Sequence, residues 1–368
     1  AKDADNGVIT VINDFKFTNL SPASHTFKWV LLKNGEVAEE GTFNVSIAAD
    51  SRKDIKLNLP ALTKENGVEY FLQVFAFSNQ DTELVPSGFE VAKEEFELNK
   101  GTYFVAIEEE GSLTVEEQEN KILVNAGDIS YEFSSVDGRG LLSMKNNGRD
   151  MFRELPRLNF WRALTDNEFG EGMQYSSRIW ETAGQNTIYT YKGSEETADG
   201  FNANYEVKLR GIEAKVDVIY TVNNDGSLTT TANYSALSDD LPEMLRFGML
   251  MTLPRNYNDF TWYGRGPHEN YVDRKHDTFM GVWNGKVEDQ AFEYYRPQET
   301  GNKTDVRWLT LKNDQGNGIK IEGAQPLSVS ATNNRPEDLD PGMTKKQQHW
   351  SDISPRNEVV LCVDLFQR

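Results

Sequence analysis

The sequence has little cysteine and no long apolar run, and each scarcity excludes a class of protein. Cys362 is the only cysteine among 368 residues, so the chain forms no intramolecular disulfide and no site built from several cysteines. Cys362 lies in a run of valine and leucine, which favours the role of a small buried apolar residue. No stretch approaches the roughly 20 apolar residues that cross a bilayer. The sequence therefore predicts a soluble chain with no membrane partner.

Positive charge is also scarce. The 38 Lys and Arg residues face 58 Asp and Glu residues, which gives a formal net charge of −20. Because nucleic-acid binding relies on basic patches, this composition predicts no nucleic-acid partner. A neutral ligand such as a sugar is compatible with the acidic surface. The compartment stays open, since a lack of disulfides suits the cytoplasm and does not exclude the periplasm.

Familiar catalytic and metal-binding motifs are missing too. The sequence has no P-loop, no nucleophile elbow, no zinc-protease motif and no EF-hand loop. Its four histidines form no pair at helical i, i+4 spacing. The sequence therefore predicts no metal site and no cofactor within this chain. It begins Ala-Lys-Asp, with neither an initiator Met nor an apolar leader, as expected of a piece of a longer protein.

What the sequence does contain is β-strand patterning. Aromatic and branched residues at 27–32 precede Asn34-Gly35, the dipeptide of a tight hairpin turn. Residues 70–77 are apolar on both faces, as in a central strand. Apolar and polar residues alternate through 214–222 and run into an Asn/Asp/Gly turn at 223–226. These patterns predict an all-β protein, with one short helix at 173–183 capped by Gly184.

An acidic stretch at 108–112, poor in core residues, indicates a connection between two domains. The sequence therefore predicts a first domain over residues 1–100, a linker over 101–114 and a second domain over 115–368.

Three segments are richer in polar and aromatic residues than a strand core requires. In residues 158–173, an aromatic ring beside carboxylates and amides suits sugar recognition, and glycines on both sides of Glu171 suggest a movable loop. In residues 264–271, His268 and Glu269 could form an acid–base pair, although neighbours in a strand point apart. In residues 296–308, Arg307 could stack on an aromatic ring or pair with a carboxylate. For each segment the alternative is an ordinary structural loop. The candidate carbohydrate-pocket residues are Trp161, Arg162, Asp166, Asn167, Glu168, His268, Glu269, Asn270 and Arg307.

Together these segments resemble a glycoside hydrolase family 2 β-galactosidase of the large lacZ-like type. LNFWRALTDNE at 158–168, GRGPHENYVDR at 264–274 and RPQETGNKTDVRW at 296–308 are similar to three of its motifs in the right order. PSGFEVAKEEF at 86–96 resembles the end of the preceding sandwich domain. The resemblance covers most of the chain.

The resemblance implies an immunoglobulin-like β-sandwich followed by the β-galactosidase small-chain domain, a supersandwich similar to galactose mutarotase. The catalytic barrel with both glutamates would precede residue 1, so this part would have no catalytic residue and would be inactive alone. The intact enzyme would hydrolyse galactosides such as lactose, form a homo-oligomer and use Mg²⁺ and Na⁺, with the main metal ligands on the barrel. The resemblance places an active-site rim loop, with Gly170 as its hinge, at Phe169, Gly170, Glu171, Gly172 and Met173.

Two further interpretations stay open: a free-standing aldose epimerase and a carbohydrate-binding module. The epimerase would need a His facing a carboxylate in a pocket, yet the family position matching His268 is usually Gln. Open, solvated faces on Trp161, Arg162 and Glu269 would favour the binding module. The same residues packed without water would favour a scaffold. We expect Arg162 to pair with an acid of the second domain, because a buried unpaired guanidinium is costly.

Overall fold

The computed structural model describes residues 2–98, 102–105, 110–344 and 348–368. Its described residues form five antiparallel sheets with only short helices between them, so the all-β prediction is confirmed. Within the described ranges, no helix has the length and apolar character needed to span a membrane.

The first part of the chain, residues 8–98, forms what we call the N-terminal sandwich. A two-stranded sheet (β1-β4) packs on a four-stranded sheet (β3-β2-β5-β6) around Ile9, Trp29 and Leu72. Asn34 and Gly35 both have positive φ, which confirms the predicted hairpin turn. β5 lies between β2 and β6, as predicted for an apolar central strand. The strands are β1 (Val8–Asn13), β2 (His25–Lys33), β3 (Glu36–Phe43), β4 (Ser51–Lys56), β5 (Tyr70–Ser78) and β6 (Glu90–Leu98).

Two further sheets share one large apolar core. A five-stranded sheet has the order β11-β10-β9-β8-β7, and a four-stranded sheet has the order β13-β14-β15-β16. Val216, Val218 and Tyr220 on β15 are buried against Tyr131 and Phe133 on β9, as their alternation predicts. The strands are β7 (Thr114–Glu117), β8 (Lys121–Ala126), β9 (Ile129–Ser134), β10 (Leu141–Asn146), β11 (Arg149–Asp150), β13 (Thr187–Thr197), β14 (Gly200–Leu209), β15 (Ala214–Asn223) and β16 (Leu228–Ala236).

A seven-stranded sheet with the order β12-β17-β22-β21-β20-β18-β19 carries most of the candidate site. Its core contains Phe260, Leu309, Val329 and Leu361, and Cys362 is buried on β22 as predicted. The strands are β12 (Glu154–Asn159), β17 (Arg246–Pro254), β18 (Asp259–Gly266), β19 (Phe279–Lys286), β20 (Lys303–Lys312), β21 (Gly318–Thr332) and β22 (Glu358–Gln367).

The N-terminal sandwich packs directly on this sheet. Leu32 and Phe71 form one buried cluster with Tyr263 and Met280. Gly35 lies so close to the Tyr263 ring that a Cβ at this position would stand 2.5 Å from it. The hairpin glycine therefore serves both the turn and the contact between the two parts.

The predicted linker falls partly outside the described residues, since Glu108 and Glu109 are not among them. Gly111 has φ of +153°, and a Cβ there would lie 2.2 Å from the Asn224 carbonyl oxygen. Only glycine can pass so close to that turn. The exact division into two domains stays a prediction.

The helix prediction is wrong in extent and in its cap. Residues 173–183 contain a single α-helical turn, α2 (Met173–Ser176), and then a 3-10 turn at Arg178–Trp180. Gly184 caps no helix there. A Cβ on it would stand 1.9 Å from the Leu158 carbonyl oxygen, so its role is a close backbone approach.

Candidate functional site

The segment expected to be a mobile loop is a short helix, α1 (Asp166–Glu171). Thr165 caps it by accepting a hydrogen bond from the Glu168 backbone, and the Glu168 carboxylate accepts one from the Thr165 backbone in return. Gly170 lies inside this helix with open space around it. Gly172, with φ of +86°, ends it. The position whose backbone conformation requires glycine is therefore Gly172, whereas the hinge role of Gly170 stays a prediction.

Arg162 anchors the buried face of this helix. Its Nη1 and Nη2 atoms donate to the two carboxylate oxygens of Glu168 over 2.8 and 2.6 Å, and both side chains are buried. The predicted pairing of Arg162 with an acid is thus confirmed. Burial raises the pKa of Glu168, but the hydrogen bonds and charge of Arg162 outweigh it and leave the pKa below its usual value.

The aromatic ring of this segment is not open to solvent. Trp161 is buried, and its indole N–H donates to Asp340 over 2.8 Å. Asp166 and Asn167 stand on the exposed side of α1. The Asp166 backbone N–H donates to the Gln298 side chain, so the first and third segments touch. Trp161 and Arg162 packed away from water favour the scaffold interpretation over an open sugar pocket.

The five rim residues divide between two faces. Met173 is buried and Phe169 half-buried, whereas Gly170 and Glu171 are exposed. Glu171 lies 3.8 Å from the guanidinium of Arg368. The segment is therefore buried on its inner face and exposed on its outer face, and its rim role stays a prediction.

The second segment does not form an acid–base pair. His268 is exposed, and its Nε2 atom faces the Asp277 carboxylate at 3.4 Å. Glu269 turns the other way and accepts hydrogen bonds from Thr300, the Gly301 backbone, Tyr294 and Arg274. Glu269 therefore links the second and third segments through hydrogen bonds. An epimerase that uses His268 with Glu269 has no support in this geometry.

Asn270 is committed to structure as well. Its amide donates to the Arg265 and His268 carbonyl oxygens, and its own oxygen accepts from the backbone and hydroxyl of Thr304. No surface of the side chain is exposed. Its side-chain amide and oxygen both bond to groups within the chain, so Asn270 does not line a carbohydrate pocket as expected.

Arg307 belongs to the contact between the two parts of the molecule. Its Nε and Nη2 atoms donate to the Glu69 carboxylate over 2.7 and 2.9 Å. The same carboxylate accepts from the Tyr263 hydroxyl. Burial lowers the pKa of Arg307, but the bonds and charge of Glu69 outweigh it and raise the pKa above its usual value. The predicted pairing of Arg307 with a carboxylate is confirmed, whereas its burial contradicts the predicted contact with a sugar.

Sequence reasoning missed a second group of buried charges. Arg246 on β17 lies 3.1 Å from Asp364 on β22 and 3.3 Å from Glu299, with all three side chains almost fully buried. Burial raises the pKa of Asp364 to about 7, although Arg246 opposes the shift. Charged residues inside otherwise apolar strands were the signal that could have revealed this group.

Lys303 on β20 is the contrasting case. It is 1% exposed, its ammonium lies 5.2 Å from the Trp262 ring centroid, and it donates a long hydrogen bond of 3.4 Å to the Gly301 carbonyl oxygen. Burial lowers the pKa of Lys303 to about 8. Among the described residues, no group of three or more His, Cys, Asp and Glu side chains is placed to hold a metal ion.

Comparison with known proteins gives two family matches. The model of the β-galactosidase small chain matches residues 125–368, and that of β-galactosidase domain 4 matches residues 9–99. The β-galactosidase of Priestia megaterium is 32% identical over 342 residues, which cover 92% of this chain and 33% of that protein. That of Lactobacillus delbrueckii subsp. bulgaricus is 29% identical over 331 residues, covering 89% and 32%. The chain thus spans about a third of the length of the curated relatives it matches.

Proposed function

Because the chain belongs to the β-galactosidase small-chain family, we propose that it is the C-terminal, non-catalytic part of a glycoside hydrolase family 2 enzyme. The intact enzyme would hydrolyse terminal β-D-galactosides, such as lactose, with retention. The relatives named β-galactosidase and the three motifs at 158–168, 264–274 and 296–308 support this proposal. In it, residues 1–100 are an immunoglobulin-like domain and residues 115–368 a mutarotase-like domain.

The chemistry of the reaction explains why this part would be inactive alone. A retaining glycosidase needs a carboxylic acid and a carboxylate about 5–5.5 Å apart on either side of the scissile bond. Each of the buried carboxylates described above lies beside an arginine: Glu168 beside Arg162, Glu69 beside Arg307, and Glu299 and Asp364 beside Arg246. In the proposal, none of them serves as the proton donor or the nucleophile. In the proposal, both catalytic carboxylates lie on another part of the longer protein.

The contribution of this chain would be to shape the rim of the active site. The observation that carries this role is the Arg162–Glu168 pair, which anchors α1 from inside while Asp166, Asn167 and Glu171 face outward. A helix held in this way can present polar groups to a bound sugar without losing its own fold. Gly172 ends α1 in a left-handed backbone conformation, and its N–H donates to the Glu168 and Phe169 carbonyl oxygens.

Oligomer assembly and metal binding belong to the same proposal and rest on the resemblance. Magnesium and sodium would serve the intact enzyme mainly through ligands outside this chain. The described side chains offer no acidic or histidine cluster of their own for such an ion.

The proposal is tested with a nitrophenyl β-galactoside. We expect no turnover by this chain alone and clear turnover by the longer protein that contains it. In that longer protein, Asn167→Ala on the exposed side of α1 should raise KM several-fold and leave the unfolding free energy unchanged. Asn120→Ala, at an exposed turn between β7 and β8, is the matched control. The proposal would be refuted if the isolated chain turned over the galactoside and a substitution within the chain abolished that turnover. It would also be refuted if Asn167→Ala and Asn120→Ala had the same KM.

A further inference from the structure

A cavity of about 620 Å³ opens where four connecting segments meet beside the seven-stranded sheet. The lining residues are Arg255 after β17, residues from 287–295 after β19, residues 333–334 after β21 and residues from 349–355 before β22. The volume lies within the range of small-molecule binding pockets. None of the rim or candidate-pocket residues discussed above lines it. The cavity is therefore separate from the segments that the sequence singled out.

Aromatic rings form much of its wall. The Tyr295 side chain is 79% exposed, and its ring meets the His349 ring edge-on at 4.8 Å between centroids. Trp350 follows directly and also lines the cavity. Tyr294 is held in place because its hydroxyl bonds to Glu269 and to Arg274. The cavity therefore has one tyrosine fixed by hydrogen bonds and one exposed tyrosine, and both offer flat apolar ring faces to a ligand.

The polar groups of the cavity suit an uncharged partner. Arg255 and Glu288 lie 3.7 Å apart and balance each other, while Glu293 adds a negative charge. Asn333 donates its amide to the Glu358 carbonyl oxygen over 2.8 Å, which fixes the side chain. Within the described residues, no donor reaches the Asn333 side-chain oxygen. Amide oxygens and a charge-balanced pair can bracket hydroxyl groups, whereas an anion would meet Glu288 and Glu293 unfavourably.

We propose that this cavity binds a neutral oligosaccharide, with the ring of Tyr295 as the stacking surface. A sugar ring offers apolar C–H faces to an aromatic side chain and hydroxyl groups to the amides around it. A purely apolar ligand would leave the side-chain oxygen of Asn333 without a hydrogen-bond donor. The site stands on the geometry of the cavity and does not depend on hydrolysis by the longer protein.

The test is calorimetric titration of this chain with galactotriose, cellotriose and maltotriose. At least one should bind with a millimolar or lower Kd. Tyr295→Ala should weaken that binding about tenfold, because it removes the stacking surface. Tyr295→Phe keeps the ring and should bind as the unchanged chain does. Since Tyr295 is largely exposed, neither substitution is expected to disturb folding, which the unfolding midpoint checks.

Tyr175→Ala is the matched control, since Tyr175 is 65% exposed and lies outside the cavity. Its variant should bind like the unchanged chain. Absence of binding by all three sugars would overturn the proposal, and so would unchanged binding in Tyr295→Ala or an equal loss in Tyr175→Ala. Because no hydrolysis is measured, these outcomes are independent of the test for the proposed galactosidase.

Discussion

Two of the buried arginine–glutamate pairs in this molecule have the same two-hydrogen-bond geometry but differ in the distance along the sequence between the partners. Arg162 and Glu168 are six residues apart and anchor one short helix. Arg307 and Glu69 are 238 residues apart and join the seven-stranded sheet to the N-terminal sandwich. In both, two guanidinium N–H groups meet two carboxylate oxygens, the geometry in which arginine exceeds lysine. The same ion pair therefore orders a local segment in one place and couples two parts of the chain in the other.

Their surroundings differ too. Glu69 accepts a third hydrogen bond from the Tyr263 hydroxyl and sits beside an apolar cluster that spans both parts. Glu168 takes its extra bonds from Thr165, at the start of its own helix. Loss of the first pair should thus disturb long-range packing, whereas loss of the second should disturb mainly one helix.

The largest effect is expected for Arg307→Ala. It leaves Glu69 buried without its cation, which should lower the unfolding free energy by about 3–5 kcal/mol. Calorimetry should also show the N-terminal sandwich unfolding separately from the rest. Lys28→Ala, which removes the exposed partner of Glu40, is the control and should cost below about 1 kcal/mol. A single transition at the original midpoint would contradict the coupling role.

Arg162→Ala should cost somewhat less, about 3 kcal/mol, because it too strands a buried carboxylate. Hydrogen exchange should speed up over 165–172 and stay unchanged in β2 and β5. Thr165→Ala removes only the helix cap and should cost about 1 kcal/mol. If Arg162→Ala lowered the protection from hydrogen exchange equally in α1 and in the N-terminal sandwich, the Arg162–Glu168 pair would not be a local anchor.

Lys303 sharpens the comparison because it is a buried cation that no carboxylate of the described residues contacts. Its pKa of about 8 in the folded chain lies below the usual value for lysine, so the unfolded chain binds more protons between about pH 8 and pH 10.5. The unfolding free energy should therefore rise with pH across that window. At pH 7, Lys303→Met should raise it by about 1–3 kcal/mol, since the desolvation cost disappears. The difference between the two proteins in urea denaturation should shrink as the pH rises; a constant difference would contradict a titrating Lys303.

The smallest effects concern the two glycines of α1. Gly170→Ala should raise the unfolding free energy by about 0.5–1 kcal/mol, because Gly170 has helical backbone angles and open space around it. Gly172→Ala should lower it by about 1 kcal/mol, because φ there is +86°. Thermal unfolding of both variants measures the two changes in stability. Destabilisation by Gly170→Ala would contradict the open helical setting of Gly170.

Local patterns in the sequence were enough for the strands and their turns. The alternation at 214–222 fixes which face of β15 is buried, because side chains along a strand point to opposite sides. Asn34-Gly35 specifies its hairpin because both residues tolerate positive φ. The motif at 158–168 carried the family resemblance, and the need of a buried guanidinium for a carboxylate predicted that Arg162 has an acid partner.

Tertiary structure decided what distant residues do to one another. Nothing near Arg307 in the sequence reveals that its partner is Glu69, because that contact exists only after the sandwich docks on the sheet. Trp161 is buried and donates a hydrogen bond to Asp340, which is 179 residues away, and the cavity beside Tyr295 is lined by residues from four separate connecting segments. Strand patterns depend on interactions between neighbours along the chain, whereas burial and pairing depend on which surfaces come together in the folded chain.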